Sequence, residues 1–190
     1  MSYICKKCGR EYTNQQYIKN RFCESCNTFL VKKKTTTIAG KRRWIFQTNP
    51  KIFRIHDWWR DYPNLLEMTW AVRQYQKNIR KGQQGIIWVA GKDGGIFATV
   101  ETLTNPSKSF GLDPGEQEYW IERNELLKAK EYPRIKLRYV DRLFSDPIIR
   151  EYCINDPILK DMWIFKQSQG TNFPLSKKHM DRIQKIINAR

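Results

Sequence analysis

No stretch of the 190 residues stays apolar over the roughly 18 positions a membrane-crossing helix needs, and the opening "MSYICKKCGR" has no signal-peptide apolar core. These absences predict a soluble, cytoplasmic chain. Histidine is scarce: His56 and His179 are the only two, far apart in sequence, which argues against a nuclease built on clustered imidazoles. Metal-dependent restriction-type nucleases use Glu-x-Lys or Gln-x-Lys to hold the metal and stabilise developing charge, and neither pattern occurs. "AGKDGG" lacks the spacing of a phosphate-cradling P-loop, and no G-x-S-x-G nucleophile motif is present. The sequence argues for binding without catalysis.

Acidic residues are also few. Asp and Glu number 19 against 35 Lys and Arg, a formal net charge of +16. Such a surface concentrates polyanions, of which nucleic acid is the commonest and anionic membrane the rival. The excess is uneven: residues 1–43 carry 11 basic and 2 acidic side chains, formally +9, and residues 44–190 carry 24 and 17, formally +7. Basic charge is therefore densest at the N-terminal end.

That end holds Cys5-x-x-Cys8 and Cys23-x-x-Cys26 with fourteen residues between the pairs, one short of the roughly 15 to 20 of common zinc modules. A two-residue gap lets backbone N–H groups point at the thiolates, and the residue after each pair tends toward positive φ. Gly9 and Asn27 occupy those places and tolerate it. The alternatives are two disulfides or a redox dithiol, both disfavoured in a cytosolic setting. We expect one structural Zn²⁺ bound by Cys5, Cys8, Cys23 and Cys26 over residues 1–30, with Tyr3, Tyr12, Tyr17, Phe22 and Phe29 as a miniature core. Cys153 stands alone and reads as a small buried hydrophobe.

"VKKKTTTIAGKRR", residues 31–43, has six basic residues and no acid. It is either a solvated tether or an arm along phosphates, with Lys32, Lys33, Lys34, Lys41, Arg42 and Arg43 as the candidate contacts. Beyond it "WIFQTNPKIF" reads as a buried strand cut short by Asn-Pro. "LLEMTWAVRQYQKNIRKG" places Leu65, Met68, Val72, Tyr75 and Ile79 at 3,4 spacing and ends at Gly82, which predicts an amphipathic helix with Trp70 off its apolar stripe. "GIIWVA" and "GIFATVETL" predict a hairpin turning at Gly91 to Gly95, "RIKLRYVDRL" a further strand, and "SKKHMDRIQKII" a helix capped by Ser176. The predicted class is α+β, a curved sheet or small barrel flanked by helices.

Taken in order, "WIFQTNPKIF", "TWAVRQYQKNIRKGQQGIIWVAGKDGGIFATVETL", "IKLRYVDRL" and "GTNFPLSKKHMDRIQKII" resemble the successive blocks of an EVE domain over residues 44–190. The resemblance implies a PUA-like bent β-barrel with flanking helices, related in fold to YTH domains. It also implies a reader of modified bases that flips the base from the duplex into an aromatic pocket. DNA is favoured over RNA. The pocket candidates are Thr48, Asn49, Trp70, Trp88, Gly91, Asn172 and Phe173. Trp58, Trp59, Trp120 and Trp163 read as packing or surface aromatics, and Thr48 and Asn49 have the alternative of capping a turn. One departure from the family is "KGQQG", where Gln83 replaces an acidic residue found in many members. Two other functions remain open: an adaptor whose zinc module docks a protein, and an accessory to a modification-dependent system in which a separate nuclease or other effector is the partner.

Overall fold

A computed structural model describes residues 2–4, 11–13, 22–27, 31–32, 42–167 and 169–190. The chain divides into two compact units, Met1–Gly40 and Lys41–Arg190.

In the first unit, strands β1 (Ser2–Ile4), β2 (Glu11–Thr13) and β3 (Val31–Lys32) form an antiparallel sheet in the order β2-β1-β3. Tyr3 pairs with Tyr12 and Ile4 with Val31. Tyr12 is buried, and its hydroxyl donates to Cys23 Sγ at 3.2 Å and accepts from the Glu24 N–H at 3.2 Å. The Cys23–Cys26 segment closes as a turn in which the Asn27 N–H reaches the Cys23 carbonyl at 2.8 Å, with Asn27 at φ 46. Phe22 corrects an expectation: it is 44% exposed, not part of a core. Cys5, Cys8, Gly9, Lys33, Lys34 and Lys41 lie outside the described residues, as do the side chains of Tyr3, Tyr17, Phe29 and Lys32.

The second unit is built on one curled sheet. Its strands are β4 (Arg43–Thr48), β5 (Glu67–Ala71), β6 (Gln84–Val89), β7 (Gly95–Thr102), β8 (Arg134–Arg142), β9 (Ile148–Ile149) and β10 (Asn172–Leu175). The order is β10-β4-β6-β7-β8-β5, with β9 added against β7. All pairings are antiparallel except β4 with β6. The helices are α1 (Ile55–Asp61), α2 (Arg123–Glu131), α3 (Arg150–Asn155), α4 (Trp163–Lys166) and α5 (Lys177–Asn188). None of the described helices is long and apolar enough to cross a membrane.

Successive side chains of a strand alternate faces, and the two faces carry two cores. Trp44, Phe46, Met68, Trp70, Ile87 and Leu137 belong to one, together with Trp58 and Trp59 of α1. Ile45, Ile86, Trp88 and Ile96 belong to the other, covered by Met162, Ile164, Met180 and Ile183 of the C-terminal segments. The β6–β7 hairpin forms as its turn chemistry predicts. Helix α5 forms behind Ser176, whose Oγ accepts from the His179 N–H at 3.1 Å.

The expected helix over residues 65–82 does not form. Met68, Thr69 and Trp70 lie in β5, paired with Leu137, Lys136 and Ile135 of β8, and residues 72–82 run as turns with Tyr75 at φ 59 and Gly82 at φ 78. The 3,4 spacing is accidental to a helix: Val72 and Ile79 are fully buried from turns, while Tyr75 is 40% exposed. A β-branched and aromatic Thr-Trp pair beside a long partner strand wins over local periodicity. Gln83 fixes these turns, its Oε1 accepting from Trp44 Nε1 at 2.7 Å and from the Arg80 N–H at 2.8 Å.

Candidate nucleic-acid base pocket

The sheet's two end strands, β10 and β5, are brought together by its curl. The Arg73 N–H, just beyond β5, donates to Asn172 Oδ1 on β10 at 3.1 Å. Gln74 Oε1 accepts from the Thr171 N–H at 3.1 Å and from Thr171 Oγ1 at 3.0 Å. Side chains, not ladder bonds, close the seam, and a cavity of about 330 Å³ opens beside it.

Each wall has its own origin. The end of β4 and the following corner contribute Thr48, Asn49 and Phe53, and β5 contributes Met68, Thr69, Trp70 and Ala71. Trp120 follows the 3-10 turn Glu116–Tyr119, and Glu125, Ala129 and Tyr132 come from α2 and its end. Gly170 completes the cavity from the loop before β10: its φ is 141, and a Cβ there would lie 2.8 Å from Phe173 Cζ, so the loop approaches that ring only as glycine.

Trp70 is both wall and core. It is 7% exposed and meets Phe46 edge-on with centroids 6.2 Å apart. Trp120 is half-buried and tilted against Phe53 at 5.2 Å, its Nε1 donating to Glu116 Oε1 at 3.3 Å. At the rim the Arg73 guanidinium lies over the Tyr132 ring at 4.7 Å and 3.4 Å from Glu125. Lys128 at 2.6 Å, and after it Arg73, hold the Glu125 carboxyl below its ordinary pKa.

Behind β5 sits a buried ion pair. Arg134 Nη2 donates to both oxygens of Glu116 at 2.8 and 2.7 Å and to the Thr69 carbonyl at 3.0 Å, and its Nε donates to Thr69 Oγ1 at 2.9 Å. Glu116 also accepts from the Asp113 N–H at 2.8 Å, and Asp113 Oδ2 accepts from the Thr69 N–H at 2.7 Å. Burial pushes the Glu116 and Asp113 carboxyls above their ordinary pKa values, against the opposing pull of Arg134 on Glu116 and of the Thr69 N–H on Asp113.

The Arg134 backbone bonds to Ser107 in both directions at 2.8 Å. Its ladder neighbour Ala71 therefore turns its own N–H and C=O to the outer edge of β5, as alternate residues of an antiparallel strand do. That edge runs beside the cavity.

The sequence-derived candidates separate. Thr48, Asn49 and Trp70 line the cavity; Trp88, Gly91, Asn172 and Phe173 do not. Trp88 packs edge-on against Phe165 at 5.5 Å in the opposite core, where Phe173 also lies. Gly91 is in the β6–β7 turn at φ 115, and Asn172 is fully buried at the seam. Asn49 Oδ1 caps its own turn through the Lys51 N–H at 3.0 Å. Among the candidate phosphate contacts Arg42 is exposed, and Arg43 is half-buried with Nε on Gln84 Oε1 at 3.2 Å.

Trp120, read from the sequence as a packing or surface aromatic, is corrected to a cavity wall, and Tyr132, Arg73, Glu116 and Arg134 are not among the sequence-derived candidates. Trp120 and Tyr132 lie outside any motif, and Arg134 opens β8. No sequence signal points to Arg134: it falls in phase with Lys136 and Arg138, the polar positions of an alternating strand.

Solved structures share this fold at low identity. A hypothetical protein from Leishmania major matches with a TM-score of 0.54 and 16% identity, covering 76% of this chain and 93% of its own. Protein PSPTO5229 from Pseudomonas syringae matches at 0.52 and 16%, covering 76% and 98%. Human THYN1 protein, solved in complex with 5-methylcytosine-containing DNA, matches at 0.51 and 12%, covering 76% and 96%. No curated protein matches the sequence. The EVE domain family model matches residues 42–186, and the chain belongs to the EVE domain family.

Proposed function

We propose that the protein is a non-catalytic reader of a modified base in DNA, taking the flipped base into the cavity between β4, β5, α2 and the loop before β10. The observation that carries this is the pairing of aromatic walls with hydrogen-bonding groups in one space. Trp70, Trp120 and Tyr132 offer ring faces or edges, while Thr48, Asn49 and the Ala71 backbone offer groups for a base edge. A cavity of about 330 Å³ falls in the range of roughly 300–1,000 Å³ typical of small-ligand sites. A flipped base loses pairing and stacking of a few kcal/mol and needs a replacement stack. The solved complex of human THYN1 with 5-methylcytosine-containing DNA supports DNA as the partner.

Binding without turnover fits the carboxylates. Glu116 accepts from Arg134, Trp120 and the Asp113 N–H, and Glu125 pairs with Arg73 and Lys128, so each is committed before a ligand arrives.

In this reading the N-terminal unit holds one structural Zn²⁺ through Cys5, Cys8, Cys23 and Cys26. The Cys23–Cys26 turn with positive φ at Asn27 fits a tetrathiolate knuckle. The basic segment 31–43 adds phosphate contacts that are indifferent to sequence. The test is equilibrium binding of the full chain to matched duplexes with and without one modified base, over a salt series. Affinity for every duplex should fall steeply with salt, while the ratio between modified and unmodified duplex should hold.

A further inference from the structure

We propose that the main-chain N–H and C=O of Ala71 take the pairing edge of a flipped cytosine-type base, so that the substituent the protein reads stands off that edge; this rests on the modified-base reading above. The register of β5 fixes which groups are available. The Val72 N–H donates to the Pro133 carbonyl at 2.8 Å and the Tyr139 N–H to the Leu66 carbonyl at 3.0 Å, so even-numbered residues of this stretch make the ladder bonds to β8. Thr69, Ala71 and Arg73 turn their N–H groups the other way, to the outer edge.

Two of these three are already matched. The Thr69 N–H donates to Asp113 Oδ2 at 2.7 Å and the Arg73 N–H to Asn172 Oδ1 at 3.1 Å, and the Thr69 carbonyl accepts from Arg134 Nη2 at 3.0 Å. Ala71, between them, is half-buried and lines the cavity, and no described residue meets its N–H or its C=O. Folded proteins cover or pair the open groups of a strand edge, and here the gap in the row falls at the cavity.

A donor and an acceptor of one extended residue point to the same side, so their ligand must offer an acceptor beside a donor. On cytosine the pairing edge does this, with N3 accepting and N4–H donating. The edge on the other side of N4 has carbon 5 and no acceptor. Docking through the pairing edge requires an unpaired base, which flipping supplies, and leaves a 5-substituent free to meet the ring walls. The ladder to β8 holds both Ala71 groups in place before the ligand arrives, so binding does not have to order them.

The experiment uses the full chain and two duplexes differing at one position. One carries 5-methylcytosine, and the other 3-deaza-5-methylcytosine, which has C–H in place of the N3 acceptor. Because a side-chain change leaves the main chain intact, the variant replaces Ala71 by lactic acid, turning the N–H into an ester oxygen with the methyl kept. Ala71→Pro removes the same donor with the amide kept, at the outward-facing position of an edge strand where proline is tolerated, and serves if the ester chain does not fold. The readout is the affinity ratio between the two duplexes, compared between parent and variant so that any difference in flipping cost cancels.

The parent ratio should exceed the variant ratio by about five- to fiftyfold, as for a lost contact to a base edge. A folded variant with the parent's ratio overturns the inference and leaves the modified-base reading standing. A parent that binds 5-methylcytosine duplex no better than unmodified duplex removes the reading and this inference together.

Discussion

The backbone N–H of Arg73 donates to Asn172 Oδ1 at 3.1 Å, so the strand at one end of the sheet order is held to the strand at the other. Thr171 Oγ1 also meets that oxygen, at 3.0 Å. Replacing Asn172 by Leu would leave the Arg73 N–H without its partner at a closed seam. The expected loss is about 1–3 kcal/mol of unfolding free energy, measured by denaturant titration, accompanied by weaker discrimination for a modified base. An unchanged midpoint would mean that the seam closes by other contacts.

Trp120 and Trp70 should respond differently to truncation. Trp120→Ala, at a half-buried wall, should lower the preference for a modified base by about tenfold or more through a lost stack of about 1–3 kcal/mol. Stability should fall only slightly. Trp70→Ala removes a core ring as well and should lower stability by about 3–5 kcal/mol along with discrimination. Binding and thermal denaturation of both variants check the pair. A fully stable Trp70→Ala protein would contradict its place in the core.

Stability and discrimination should separate with pH. Burial raises the Glu116 and Asp113 pKa values above those of the unfolded chain. As pH falls through that raised range toward the ordinary carboxylate values, the folded state takes up protons that the unfolded chain does not. These two groups therefore favour folding more at mildly acidic pH than at neutral pH. Protonated Glu116 holds the Trp120 indole N–H less firmly at the cavity wall, so the preference for a modified base should weaken over the same window. Urea midpoints and binding ratios from neutral pH to pH 5 provide the check; a joint rise of both would contradict the assignment.

Purified protein should contain one zinc per chain by elemental analysis. Cys8→Ser should lose it and should shift amide spectra within residues 1–30, while the unit Lys41–Arg190 keeps its transition, because each unit is compact in itself. Full zinc content in Cys8→Ser would remove Cys8 from the ligand set.

Much of the fold could be read from local pattern, and the failures have one cause. The β6–β7 hairpin, β8 and α5 carry their own signals: a Gly-rich turn, alternation in "IKLRY", and the Ser176 cap. Met68 and Trp70 carry a competing one, since their spacing to Val72 and Ile79 imitates a helix until β8 is there to pair with β5. The pocket was legible where it lies on that local frame, at Thr48 and Asn49. Trp88 and Trp120 exchange roles because facing is decided by the curl of the sheet: Trp88 alternates onto the helix-covered side, and Trp120 is carried to the cavity by a 3-10 turn. Arg134 and Glu116 are 18 residues apart and meet only through folding.

The central claim is that the cavity holds a modified base. The most direct measurement is equilibrium binding of the full chain and of Trp120→Ala to one duplex sequence in four forms: unmodified, and carrying a single 5-methylcytosine, 5-hydroxymethylcytosine or N6-methyladenine, at fixed salt. The account predicts that the parent prefers at least one modified form by about tenfold or more and that Trp120→Ala loses that preference while keeping its affinity for unmodified duplex. Equal affinity of the parent for all four forms, or a preference that Trp120→Ala retains in full, would contradict it.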